Sequence, residues 1–214
     1  MGFFDFLKPK QDQPDWWSKE KDPRARKAYL WGASKFAAKQ ADNLRTVGRK
    51  DDANKVIAEF LMKVFQEFKN EPQNPRHLSF LTDVALQLGA LEAGKKTLES
   101  VIEGNDHEQL DLTLVYTDLG RIYHQLGSDA RRELWCYEMA AEAKPPPNCI
   151  FPATRKQKAM AHHFARYVAI RLASHNPKDS HWKVADSHEI RRKELVPEVN
   201  WDDRTQVDKF MESE

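Results

Sequence analysis

The stretch YTDLGRIYHQLG, residues 116–127, sets the period on which the whole chain is read. Leu119, Ile122 and Leu126 recur at three and four residues, the stripe continues backwards through Val115 to Leu112, and it stops at Gly127. That is one apolar face of a helix that ends at a glycine. Leu119, Tyr123 and Leu126 then belong to a core. Thr117, Arg121, His124 and Gln125 lie off the stripe and remain for contact. Ser128 is placed to cap a following helix that bears Ala130, Leu134, Tyr137 and Ala141, and Pro145-Pro146-Pro147 forbids its continuation.

Outward from this pair the same plan recurs. A first helix from Pro23 or Arg24 carries Ala33, Phe36, Ala37, Leu44 and Val47 on one side and stops at Gly48. Its partner starts near Asp51 and Asp52, acidic residues suited to a helix start, and bears Ala53, Ile57, Phe60, Val64 and Phe68. A second pair has Leu78, Leu81, Val84, Ala85 and Leu88 before Gly89, then Leu91, Leu98, Val101 and Ile102 after it. Beyond the prolines, residues 153–174 form a strong helix with Met160, Phe164, Tyr167, Val168 and Leu172 on a broad face. After Pro177 the anchors scatter, so a short helix near 186–195, irregular chain and a last helix near 203–212 are expected.

Composition agrees with an all-α protein. Only 8 glycines in 214 residues argue against many tight hairpins, and 31% charged residues suit helices with solvated outer faces. The 34 basic and 33 acidic side chains nearly cancel, so the molecule as a whole is not drawn to nucleic acid or to an anionic membrane. No apolar run approaches the roughly 18 to 20 residues of a membrane span, and no export signal is legible, so a cytoplasmic location is expected. Cys136 and Cys149 are accordingly read as two reduced thiols. They have neither a CxxC partner nor zinc-site spacing.

Three helix–glycine–helix units, with Gly48, Gly89 and Gly127 spaced by 41 and 38 residues, indicate an internal repeat. In the third unit Leu119-Gly120-x-x-Tyr123, followed by Gly127, Ala140 and Pro145, resembles a tetratricopeptide repeat, a family with a unit of about 34 residues. The second unit keeps Leu81, Ala85, Gly89 and Leu98, and the first keeps Gly48 and Ala53. The resemblance implies a right-handed array of antiparallel helix pairs, a TPR-like solenoid. Its divisions would be an N-terminal apolar segment and linker over 1–22, three helix pairs over 23–147, a capping helix over 148–176 and a tail over 177–214 packing on the array. Such pairs bury a continuous core only by stacking.

The resemblance also implies a concave groove lined by the first helix of each pair, which binds a protein segment. By position its lining here is Lys35, Lys39, Asp42 and Arg45, then Arg76, Asp83 and Gln87, then Thr117, Arg121, His124 and Gln125. The basic members would hold acidic side chains or a terminal carboxylate. The competing account is an ordinary solvated surface with Asp42 and Asp83 offsetting the positive charges. A second candidate is an anion-attracting stripe of Arg155, Lys158, His162 and Arg166, read as lying opposite the apolar face of helix 153–174. It would serve an acidic partner, RNA or a phosphate-bearing ligand, or be merely solvated.

Metal and catalytic chemistry find no support in the sequence. His162-His163 point about 100° apart on a helix, and His181, Asp186, His188 and Glu189 lack ligand spacing. Neither a nucleophile elbow, a phosphate loop nor an HExxH helix is present. No cofactor is expected. MGFFDFLKPK at the N-terminus offers a compact apolar group, with three readings open: a cap on the array, a docking segment for another protein, or a membrane contact. The expectation is therefore a protein-interaction module and not an enzyme, an intracellular bacterial adaptor, chaperone-like or inhibitor protein. The alternative is an RNA- or phosphate-binding helical protein.

Overall fold

A computed structural model of the chain describes residues 23–68, 75–104, 110–174, 176 and 178–212, with side chains described over 28–64 and from Leu78 onward. The described residues form nine α-helices and no strand. They are α1 (Pro23–Thr46), α2 (Lys50–Phe68), α3 (Pro75–Leu88), α4 (Leu91–Glu103), α5 (Leu112–Leu126), α6 (Ala130–Glu142), α7 (Arg155–Ala173), α8 (His181–Leu195) and α9 (Arg204–Glu212). The all-α expectation holds. Among these residues no helix is long and apolar enough to cross a membrane. The segments MGFFDFLKPK and Trp16-Trp17 lie outside the described residues.

The chain divides into two compact units, one ending at Phe60 and the other beginning at Leu61. In the first, α1 buries Leu30, Ser34, Ala37 and Ala41, a stripe rotated from the expected one. Phe36 and Val47 are exposed, at 51% and 68%, so they are not core residues of this unit. Ala53, Ile57 and Phe60 of α2 are buried as expected.

In the second unit each helix packs against the next, from α3 to α8, and α3 against α5 and α5 against α7 as well. Leu78, Leu98, Val115, Leu119, Ile122 and Cys136 make one core cluster. Burying each large aliphatic member contributes about 1.5–3 kcal/mol. A second cluster joins Leu134 and Tyr137 of α6 to Ala165, Val168 and Ala169 of α7 and Ala185 of α8. The C-terminal chain is more ordered than expected. α8 begins at His181, and Val196, Trp201 and Val207 close over Ala159.

Two glycine devices set the helix spacing. Gly48, Gly89 and Gly127 all have positive φ, +79°, +65° and +62°, the left-handed turn in which a Cβ is strained. Gly127 N–H donates to the Tyr123 and His124 carbonyls and so closes α5. Gly120, in the middle of α5, lies under the Tyr137 ring, where an added Cβ would stand 2.6 Å from the nearest ring atom.

Caps fix the other ends. Asp129, and not Ser128, caps α6, its carboxylate accepting from Arg132 N–H at 2.9 Å. α7 opens on a capping box of Thr154 and Gln157. Asp111 does double duty. It is 1% exposed, caps α5 by accepting from Thr113 N–H at 2.9 Å, and accepts from Ala153 N–H at 2.7 Å across 42 residues.

Candidate functional site

The residues predicted to line a groove in the second unit rest on a seam of buried charge. Asp118 sits on the apolar stripe of α5, 3% exposed, and its carboxylate accepts from Ser79 Oγ of α3 at 2.6 Å and from Arg121 at 2.9 Å. The other arm of the Arg121 guanidinium reaches Asp83 of α3 at 2.7 Å. Arg121 thus lies between one buried and one half-exposed carboxylate, and α3 and α5 are fastened by it. Burial lifts the Asp118 carboxyl above its ordinary range, against the pull of Arg121 and the Ser79 hydroxyl.

One turn further along α5 a second knot forms. Glu133, 2% exposed on α6, meets His124 Nδ1 of α5 at 2.9 Å and forms an ion pair with Arg171 of α7. Arg171 also stands 3.3 Å from the His124 ring. Here α5, α6 and α7 are joined through one carboxylate. Across α3, α5 and α7 the knots leave a row of half-exposed polar side chains: Asp83 (42%), Arg121 (38%), His124 (44%) and Arg171 (38%). Each cation in the row is held by a carboxylate that water does not reach, which fixes its direction and shortens the search for a ligand's matching group.

The remaining predicted groove residues differ in placement, and Gln87 is half-buried on α3. Gln125 is exposed on the last turn of α5. Thr117 is a correction: it is buried, and its hydroxyl donates to the Thr113 carbonyl of its own helix at 2.7 Å, so no ligand reaches it. Arg76 is in the first turn of α3 with its side chain outside the described residues. Lys35, Lys39, Asp42 and Arg45 belong to the first unit. There Lys35 lies over the Trp31 ring at 5.9 Å, Arg45 pairs with Asp42 at 3.0 Å, and Lys39 is exposed.

The basic stripe of α7 is also corrected, because α8 packs on His162 and Arg166 while Arg155 stays exposed. Arg166 pairs with Glu189 of α8 at 2.6 Å, and Arg155 with Glu198 at 3.8 Å. Lys158 donates to the Ala143 carbonyl at 2.9 Å. His162 is 9% exposed, with its Nδ1 2.8 Å from Nδ1 of His188. The four do not form an outward anion-attracting face. The apolar pattern missed this because α8 meets α7 with alanine, histidine and arginine.

Sequence reasoning also passed over Asp118, Glu133 and Arg171. A signal for the first was present: Asp118 follows Val115 by three and precedes Ile122 by four, a charge inside an apolar stripe. Buried charge at such a position requires a partner. Cys136 and Cys149 are both free thiols, and burial pushes the Cys136 thiol up to about 12, which removes it as a nucleophile. Among the described residues no group of three or more His, Cys, Asp or Glu side chains is placed to hold a metal ion. Set against known protein families, curated proteins and solved structures, the chain finds no match.

Proposed function

We propose that the chain is a protein-interaction module, an adaptor, chaperone-like or inhibitor protein acting in the cytoplasm, and that its TPR-like second unit receives a segment of another protein along α3, α5 and α7. The observation that carries this reading is the row Asp83, Arg121, His124 and Arg171, set on three helices and held from beneath by Asp118 and Glu133. An extended segment crossing those helices meets charges of both signs in fixed directions. Arg121 and Arg171 suit its acidic side chains or a terminal carboxylate, and Asp83 a basic one. Orientation, and thus selectivity among segments, comes from these pairs more than affinity does.

The test uses the full chain as bait in its native cell, followed by direct titration of the captured protein. Substitution must spare the buried carboxylates, so Arg121 is the wrong residue to change first. Asp83→Lys alters the row, Gln125→Trp adds bulk next to His124 on the same helix, and both leave Asp118 and Glu133 paired. A loss of tenfold or more in affinity with each is expected. Unchanged affinity with both sinks the proposal.

A further inference from the structure

The interface between α7 and α8 is built from groups that a cationic charge would force apart. α8 buries Ala185, His188 and Arg192, so it docks chiefly through ionisable side chains. Two contacts matter. His162 and His188 face each other Nδ1 to Nδ1 at 2.8 Å, an arrangement that needs one nitrogen to donate and the other to accept. Alongside, Arg192 donates to His163 Nδ1 at 2.6 Å, and since a guanidinium does not give up its proton, that nitrogen must be bare. The His163 ring is held there by stacking on Trp201, 5.7 Å between centroids, with Arg192 over the same indole at 4.8 Å.

A proton added to His163 leaves two N–H groups pointing at each other, and so does one added to the accepting ring of the His162–His188 pair or to both of its rings. The surroundings do little to absorb it. Lys158 and Arg191 stand near His162, and Arg192 and Arg166 near His163, with Glu189 as the opposing carboxylate. Glu189 is already shared among Arg166, Arg192 and Lys193. Lys193 in turn reaches Asp202 at 3.6 Å. On the far side of the pair Glu138 of α6 stands 3.9 Å from His188 Nε2, beyond hydrogen-bonding reach.

We propose that α8 is an acid-released latch: it stays docked on α7 while His162 and His163 are neutral, and their protonation opens the α7–α8 interface before the rest of the second unit unfolds. Burial, with the neighbouring cations, already holds both imidazoles down at about 4. An open α8 returns them to an ordinary value of about 6.5. The open form therefore binds up to two protons that the closed form refuses, and acidification through this window favours opening. Opening uncovers Arg166, His162 and His163 on α7. The α3–α5 seam, in which each cation meets a carboxylate, has no such weakness.

The test is hydrogen exchange of the full chain at neutral pH and at about pH 4.5, corrected for intrinsic rates, comparing α8 with α5. Protection of α8 amides is expected to fall at least tenfold more than that of α5. The His162→Gln/His163→Gln variant, which keeps hydrogen-bond acceptors but takes no proton, is expected to lose that selective fall. Equal loss in α5 and α8, no loss in α8, or an undiminished fall in the variant overturns the proposal. Should the variant not fold, imidazole titration of the unaltered chain by NMR decides. His162 and His163 titrating only as α8 opens supports the latch; either one titrating near 6.5 with α8 still protected refutes it.

Discussion

Two parts of the second unit bury charge, and they do so by opposite rules. In the seam around α5, Arg121 and Arg171 each end on a carboxylate sunk in the core, Asp118 and Glu133. At the α7–α8 interface, bases face bases: His162 on His188 and Arg192 on His163. The first arrangement draws helices together through opposite charge, and its cost appears when a partner is removed. The second requires its imidazoles to be neutral, and its cost appears when a proton arrives. Burial by itself predicts neither behaviour; the sign of the facing group does.

Removing a cation should separate the two most clearly. Arg121→Ala leaves Asp118 with the Ser79 hydroxyl, and Arg171→Ala leaves Glu133 with the His124 ring, each expected to lower stability by about 3 kcal/mol in urea unfolding, since a buried carboxylate loses its cation. Arg192→Met, although Arg192 is only 2% exposed, should lower it by about 1–2 kcal/mol, because Glu189 keeps Arg166 and Lys193. Equal losses in the three variants would erase the distinction.

The pH dependence of stability comes next, and the two regions oppose each other. His162 and His163 have depressed values in the folded state, so the stability they confer is present above about 6.5 and is lost as pH falls toward about 4. Asp118 has a raised value, so its contribution is present below the ordinary carboxyl range and is lost as pH rises through its folded value. Unfolding midpoints measured from pH 7 down to pH 4 should fall. His162→Gln/His163→Gln should flatten that slope, whereas Asp118→Asn, which removes the opposing contribution, should steepen it.

Smaller effects sharpen the seam alone. Gly120→Ala pushes a Cβ into the Tyr137 ring and should cost about 1–3 kcal/mol by forcing α5 and α6 apart. Asp83→Asn removes the exposed end of the Arg121 bridge and should cost under about 1 kcal/mol, detectable only as a slight shift of the urea midpoint.

How much of this was legible depended on whether a residue's role follows from its own helix. The glycines at 48, 89 and 127 and the stripe Val115, Leu119, Ile122 obey local rules and appear where the period places them. Ser128 lost its capping role to Asp129 because two adjacent candidates differ only in which carbonyl the helix starts from. His162 was misplaced for a different reason. The apolar pattern of α7 ranks alanine stripes low, yet Ala165, Ala169 and Ala173 are the surface on which close helix approach is possible. Glu133 and Arg171, 38 residues apart, declare themselves only once α6 and α7 are side by side.

Asp111 carries a consequence for the chain's covalent continuity. Its carboxylate joins the start of α5 to residue 153, so the proline-rich loop between α6 and α7 is bypassed by a non-covalent bridge. A protease that cuts between Pro145 and Cys149 should therefore yield two fragments that still elute together from a sizing column, and Asp111→Ala should weaken their association without abolishing it, because α6 and α7 still pack through Leu134, Tyr137, Ala165 and Val168. The backbone there serves as a tether, and the carboxylate as the hinge pin.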